Sequence, residues 1–177
     1  MRRTLLRFES LQQIVGGEGL SVILLTDMER KVALSVVCDE PMACQLRMRI
    51  DNPGACRNML PEALLSLLPT TYEMMICGLF EGQYQVALMN DMGDTVRIRM
   101  SDAVLLSLIS KIPLYIENGL MQRQCVPFDE HAQGVAIPIN TMDVKRLRHA
   151  LQQAVDDENY ELASQLRDEI RRRNEGS

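Results

Sequence analysis

Two arginines, a serine and an aspartate crowd together in Arg97-Ile98-Arg99-Met100-Ser101-Asp102. Guanidinium groups present paired donors that match the oxygens of a phosphate or carboxylate. A helix start adds free backbone amides and the positive end of the helix dipole. This spacing therefore has the makings of an anion site, with Arg99 as the clamp and Ser101-Asp102 at the mouth of a helix. The structural alternative is simpler. Ser101 stands where a helix cap belongs, and Asp102 is a favourable first-turn acid, so the pair can serve as a helix entry and nothing more. A second acidic pair, Asp39-Glu40 before Pro41, has the same two meanings.

The elements that must carry these residues follow from periodicity. Val96, Ile98 and Met100 alternate with Thr95, Arg97 and Arg99, the period of a strand with one buried face. Ala103, Val104, Leu105, Leu106, Leu108 and Ile109 then predict a helix. Lys111 falls in its last turn, and Pro113 keeps Leu114-Tyr115-Ile116 out of it. Upstream, residues 3–10 alternate as a strand, and residues 16–19 read as a glycine turn. Residues 20–26 and 31–37 read as a hairpin turning through Asp27-Met28-Glu29-Arg30. Residues 40–50 predict a helix buried by Met42, Ala43, Leu46 and Ile50, with Arg47 and Arg49 facing away. Residues 58–68 predict another, capped by Asn58, buried by Leu64, Leu65, Leu67 and Leu68, and stopped by Pro69. A second hairpin follows, 71–80 and 83–89 about Glu81-Gly82. Strands grouped in hairpins, with helices between the groups, predict an α+β fold: a mixed, largely antiparallel sheet with two to three packed helices. Two amphipathic helices, 143–156 and 159–173, come last as a helical hairpin. Its stripes are Leu147, Leu151 and Ala154 on one side and Tyr160, Ala163, Leu166 and Ile170 on the other, with Asp157 or Asn159 capping the second helix. The expected division is a domain at 1–125, a linker at 126–140, which overlaps an aperiodic stretch from Gln122 to Ile139, and the hairpin at 141–177.

Composition narrows the function classes. The chain carries 46% apolar and 24% charged residues, ordinary for a globular protein. No apolar run approaches a membrane span, and the first residues alternate instead of forming an apolar signal core. The expectation is a cytoplasmic protein without a membrane partner. Five cysteines without a CxxC pair read as small core residues, neither a disulfide frame nor a zinc site. Net charge is −5, so a nucleic-acid partner would have to use a local cluster such as Arg47, Arg49, Arg57, Arg97 and Arg99. Tryptophan is absent and aromatics are 4%, which leaves little for base stacking.

Two resemblances add to this reading. The tail, with Leu147, Leu151, Ala154 and then Tyr160-Glu161-x-Ala163-x-x-Leu166-Arg167-Asp168-x-Ile170, resembles the UVR motif of nucleotide excision repair proteins. That likeness implies protein–protein association, often hairpin against hairpin, and with it a homo-oligomer or a protein partner bound through residues 141–177. Residues 3–125 resemble the bifunctional nuclease family, on Arg97-Ile98-Arg99-Met100-Ser101-Asp102-Ala103-Val104 followed by Ile112-Pro113-Leu114-Tyr115-Ile116. That likeness implies cleavage of DNA and RNA. The chain departs from the family pattern elsewhere. Met42 stands where the family has Glu, and Cys56-Arg57-Asn58 where it has Thr-His-Asp. Arg97 replaces an acidic residue.

The nuclease resemblance makes Asp102, Arg99 and Ser101 the expected catalytic residues. Metal-assisted phosphodiester hydrolysis uses clustered carboxylates to hold a cation that activates water. Asp102 with Asp39 and Glu40 would be the set for Mg2+ or Mn2+. Two functions therefore stay open: a divergent nuclease, and a non-catalytic module that assembles through its hairpin.

Overall fold

From Ser21 to Asp27 every residue is buried, polar ones included, so this strand is covered on both faces. It is the second of eight in a computed structural model that describes residues 2–13, 20–68, 71–130, 142, 144–156 and 158–175. The elements run β1 (Arg3–Gln13), β2 (Leu20–Asp27), β3 (Val32–Asp39), α1 (Glu40–Asp51), a 3-10 turn (Pro53–Cys56) and α2 (Leu60–Leu67). Then come β4 (Tyr72–Phe80), β5 (Gln83–Asn90), β6 (Thr95–Ile98), α3 (Met100–Ser110), β7 (Leu114–Glu117), α4 (Asn118–Gln124), β8 (Val126–Pro127), α5 (Val144–Asp156) and α6 (Tyr160–Glu175). The class is α+β, as expected.

The sheet order is β6-β5-β4-β7-β1-β2-β3-β8. Pairing is antiparallel between β1 and β2, β1 and β7, β2 and β3, β3 and β8, and β5 and β6. Strands β4 and β7 run parallel, with Met74 opposite Leu114 and Ile76 opposite Ile116. Those four side chains are at most 2% exposed and, with Ile23, Leu25 and Leu34, form the centre of the core. The β2–β3 hairpin closes on Asp27, whose Oδ1 accepts from the amides of Lys31 and Val32, while Arg30 takes a left-handed conformation. The β4–β5 turn places both Glu81 and Gly82 at positive φ, the geometry of a tight two-residue hairpin.

The described residues divide into two compact units, 1–78 with 84–136, and 79–83 with 137–177. Among them, no helix is long and apolar enough to cross a membrane. The stretch expected as linker begins instead with β8, whose Val126 and Pro127 pair with Ala33 and Val32. Proline is tolerated there because β8 is an edge strand. Helix α4 before it was not anticipated from the sequence. Residues 16–19, Pro69 and Asp157 lie outside the described residues, as do most of 131–143.

Three helix expectations are corrected. Arg49 is buried at 7% exposure, while Ile50 is 43% exposed. The α1 face therefore runs Met42, Ala43, Leu46, Arg49. Arg49 can be buried because Glu62 meets it with two hydrogen bonds, Nε to Oε1 at 2.7 Å and Nη2 to Oε2 at 3.0 Å. Helix α2 buries none of its residues, and Leu64, Leu67 and Leu68 are exposed. Its cap position falls to Met59, not Asn58. Cysteines 44 and 77 are exposed, so the expectation of core cysteines holds only for Cys38 and Cys56, with Cys125 half-buried.

Candidate functional site

Helices α1 and α3 pack against each other, and the charge of Asp39, before α1, acts on Arg99, before α3. Asp39 ends β3 in an extended conformation and caps α1, its Oδ1 accepting from the Met42 amide at 3.0 Å. Pro41 fits the first turn because its missing amide would have had no helical partner. Glu40 reaches along the helix to Arg47, with Nη1 to Oε1 at 2.7 Å, and Arg47 Nη2 donates to Ser21 Oγ at 3.2 Å. The Arg47 hydrogen bond is the first cause that holds the Glu40 carboxyl below its ordinary range.

The entry to α3 differs from the one the sequence suggested. The helix starts at Met100, and Arg99, not Ser101, occupies the cap position without a side-chain cap bond. Met100 is 6% exposed and joins Ala103, Val104 and Leu105 on the buried face, so the core draws the helix start two residues earlier. Ser101 is a half-buried residue of the first turn. Arg99 folds over that turn and grips Asp102 with both ends, Nε to Oδ2 at 2.7 Å and Nη2 to Oδ1 at 3.0 Å. This fork raises the guanidinium pKa, chiefly through the hydrogen bond, with the Asp39 charge as a smaller contribution. The Arg99 side chain is 71% exposed, so the pair lies at the surface. Lys111 ends the helix in a left-handed conformation, one step beyond the last turn.

Asp39 is near enough to Arg99 for its charge to act on the guanidinium, and each of Asp39, Glu40 and Asp102 already has a partner. Asp39 holds an amide, Glu40 an arginine, and both Asp102 oxygens another arginine. Among the described residues no group of three or more His, Cys, Asp or Glu is arranged to hold a metal ion. A divalent cation would compete with Arg99 for both Asp102 oxygens and with Arg47 for Glu40 Oε1, while Glu40 Oε2 is buried without a hydrogen-bond partner. At the family positions, Met42 is core, and Arg57 and Asn58 are exposed in the turn before α2. The chemistry open to the cluster is anion contact through exposed Arg99. Arg47 is engaged on both sides.

Helices α5 and α6 form a second candidate site within the hairpin unit. Leu147, Ala154, Ala163 and Leu166 make its core, with Met142, Ala150, Leu151 and Ile170 packed at the margin. Glu158 takes φ 56° after α5. The amide of Glu158 returns to Val155 O at 3.1 Å and that of Asn159 to Ala154 O at 2.8 Å, the paired bonds of a Schellman stop. Asn159 then caps α6, its Oδ1 accepting from Leu162 N at 3.2 Å. Tyr160 was expected in the buried stripe, but it is 69% exposed and stands beside exposed Val155 and Leu162 around the turn. The stripe begins at Ala163 because the cap turns Tyr160, the first residue of α6, outward. Sequence reasoning missed Arg49–Glu62. The signal available was a lone acid, Glu62, in an otherwise uncharged leucine-rich stretch.

Comparison with known families places one match on this chain. The family model described as the UvrB/uvrC motif matches residues 144–174, which span α5 and all but the last residue of α6. Among curated proteins, none matches the chain.

Proposed function

We propose that the chain is a non-catalytic interaction protein whose α5–α6 hairpin docks against a second hairpin of the same kind. The observation that carries this is the UvrB/uvrC motif at 144–174, folded as a closed hairpin that leaves Val155, Tyr160 and Leu162 in water at one end. Two helices of this length bury little on their own, and apolar groups around a turn gain from being covered. Capture of an untagged copy by a tagged copy tests the reading. The wild-type chain is expected to be captured, and Val155→Lys with Tyr160→Glu to weaken capture sharply. Capture that ignores both changes would overturn it.

A second reading keeps the resemblance of residues 3–125 to bifunctional nucleases: a divergent nuclease centred on Asp102 and Arg99. What favours it is the exposed Arg99 guanidinium, close enough to Asp39 to feel its charge, at a helix start open to a phosphate. Plasmid and RNA cleavage in Mg2+ or Mn2+ buffer, lost in Asp102→Ala, is the outcome this reading requires. Intact substrates, or equal activity in the variant, would remove it.

A further inference from the structure

Helix α2 is mounted with its apolar side outward. Leu60, Leu64, Leu67 and the following Leu68 are 71, 54, 78 and 45% exposed, while Pro61, Glu62 and Leu65 turn inward. An amphipathic helix ordinarily does the reverse. The anchor that reverses it is the Glu62 carboxylate held in both hands of Arg49, whose Nη1 is itself fixed by Gln45 O and Oε1, both at 2.9 Å. The polar contact fixes the rotation of the helix, and the leucines go to solvent as a consequence.

We infer that this leucine face is a self-association surface that takes α2 of a second copy, antiparallel, about a two-fold axis near Leu64. Three observations select that occupant. First, Leu60, Leu64 and Leu67 lie four and three residues apart. A two-fold close to Leu64 therefore brings Leu60 of each copy against Leu67 and Leu68 of the other, the self-complementary pattern of an isologous contact. Second, the stretch 58–68 contains one charged residue, Glu62, and Arg49 neutralises it. A copy meets no like charge across the interface, whereas an anionic lipid surface or an acidic or basic partner would find no charge to match. Antiparallel helices also set opposite dipole ends side by side. Third, the four leucines leave roughly 400 Å2 of apolar surface per copy, in the range where an exposed patch marks an interaction site. Doubled, this falls short of the roughly 1,200 Å2 of a stable complex, so the contact is a weak one that forms at high concentration.

This surface is separate from the hairpin, and its test is run where the hairpin is silent. Sedimentation of the full chain carrying Val155→Lys and Tyr160→Glu should show mass rising with concentration. Adding Leu64→Glu, or Leu67→Glu at the most exposed of the four positions, should weaken that association at least tenfold. Both positions face water, so each variant should keep the circular dichroism of its parent. As a measurement that does not rely on disruption, Leu64→Cys is made in a chain whose exposed Cys44 and Cys77 are changed to Ser. A short bis-maleimide should then join position 64 of one copy to position 64 of another. A Val155→Lys, Tyr160→Glu chain that is monomeric at every concentration, an association indifferent to Leu64→Glu and Leu67→Glu, or no 64–64 cross-link would each overturn the inference.

Discussion

Replacing Glu62 with Gln tests how α2 is held. The Arg49 side chain is 4% and the Glu62 side chain 14% exposed, so the pair is buried. Removing one charge of such a pair costs about 3–5 kcal/mol, because the other is left unpaired. Arg49 keeps its bonds to Gln45 and its contact with Met59 Sδ, which places the loss near the low end, about 3 kcal/mol. Helix α2 buries no residue of its own, so the loss should appear as local release of the helix and not as global unfolding. At about 1.4 kcal/mol per decade, amide exchange in Leu60–Leu67 should accelerate on the order of 100-fold in Glu62→Gln. Exchange in β2 and β3 should change by only a few-fold. Pairing the change with Arg49→Met should recover much of the protection, since an apolar pair can replace a buried ionic one. Exchange in α2 that stays at the wild-type rate, or that rises equally in β2 and β3, would refute the reasoning.

Further outcomes follow from other elements. Leu166→Ala removes a side chain 1% exposed in the hairpin core and should cost the hairpin about 2–5 kcal/mol, read as loss of helical signal on heating. Glu158→Gly relieves a left-handed residue at the end of α5 and should stabilise the hairpin by about 0.5–1 kcal/mol in the same melt. Asp39→Ala removes the α1 cap and should cost about 1 kcal/mol in denaturant unfolding. Burial pushes the thiols of Cys38 and Cys125 up to about 11. Folding therefore favours the protonated thiols. Their contribution is whole below the unfolded value near 9 and is lost as pH rises from about 9 to about 11. Cys38→Ala should flatten that part of the stability–pH curve.

The hairpins and most helix boundaries were legible because they depend on neighbours in sequence. Asp27 to Arg30, Glu81-Gly82 and the Asp39-Glu40-Pro41 entry are local turn and cap chemistry, and each folds as its residues suggest. The exchange of Arg49 for Ile50 on the buried face of α1 could not be read that way. It depends on Glu62, thirteen residues on, and an apolar period assigns any arginine to solvent. The same long-range pair turned α2 over, so its leucines were mistaken for core. Ser101 lost the cap because burial of Met100 outweighs a hydroxyl bond, an outcome of packing against the sheet. Helix α4 has seven residues and opens with Asn118-Gly119, too short and too weak a pattern to stand out. The candidate acids were correctly found at helix starts, but their arginine partners were only partly foreseen, and those partners decide what the acids can still bind.

The central claim is that the hairpin makes this chain an interaction protein. Sedimentation equilibrium of the full chain, compared with its Val155→Lys, Tyr160→Glu variant across a wide concentration range, tests it most directly. The account predicts that the wild type gains mass at concentrations where the double variant has lost the hairpin-mediated part of that gain. Identical mass curves for the two proteins would contradict it.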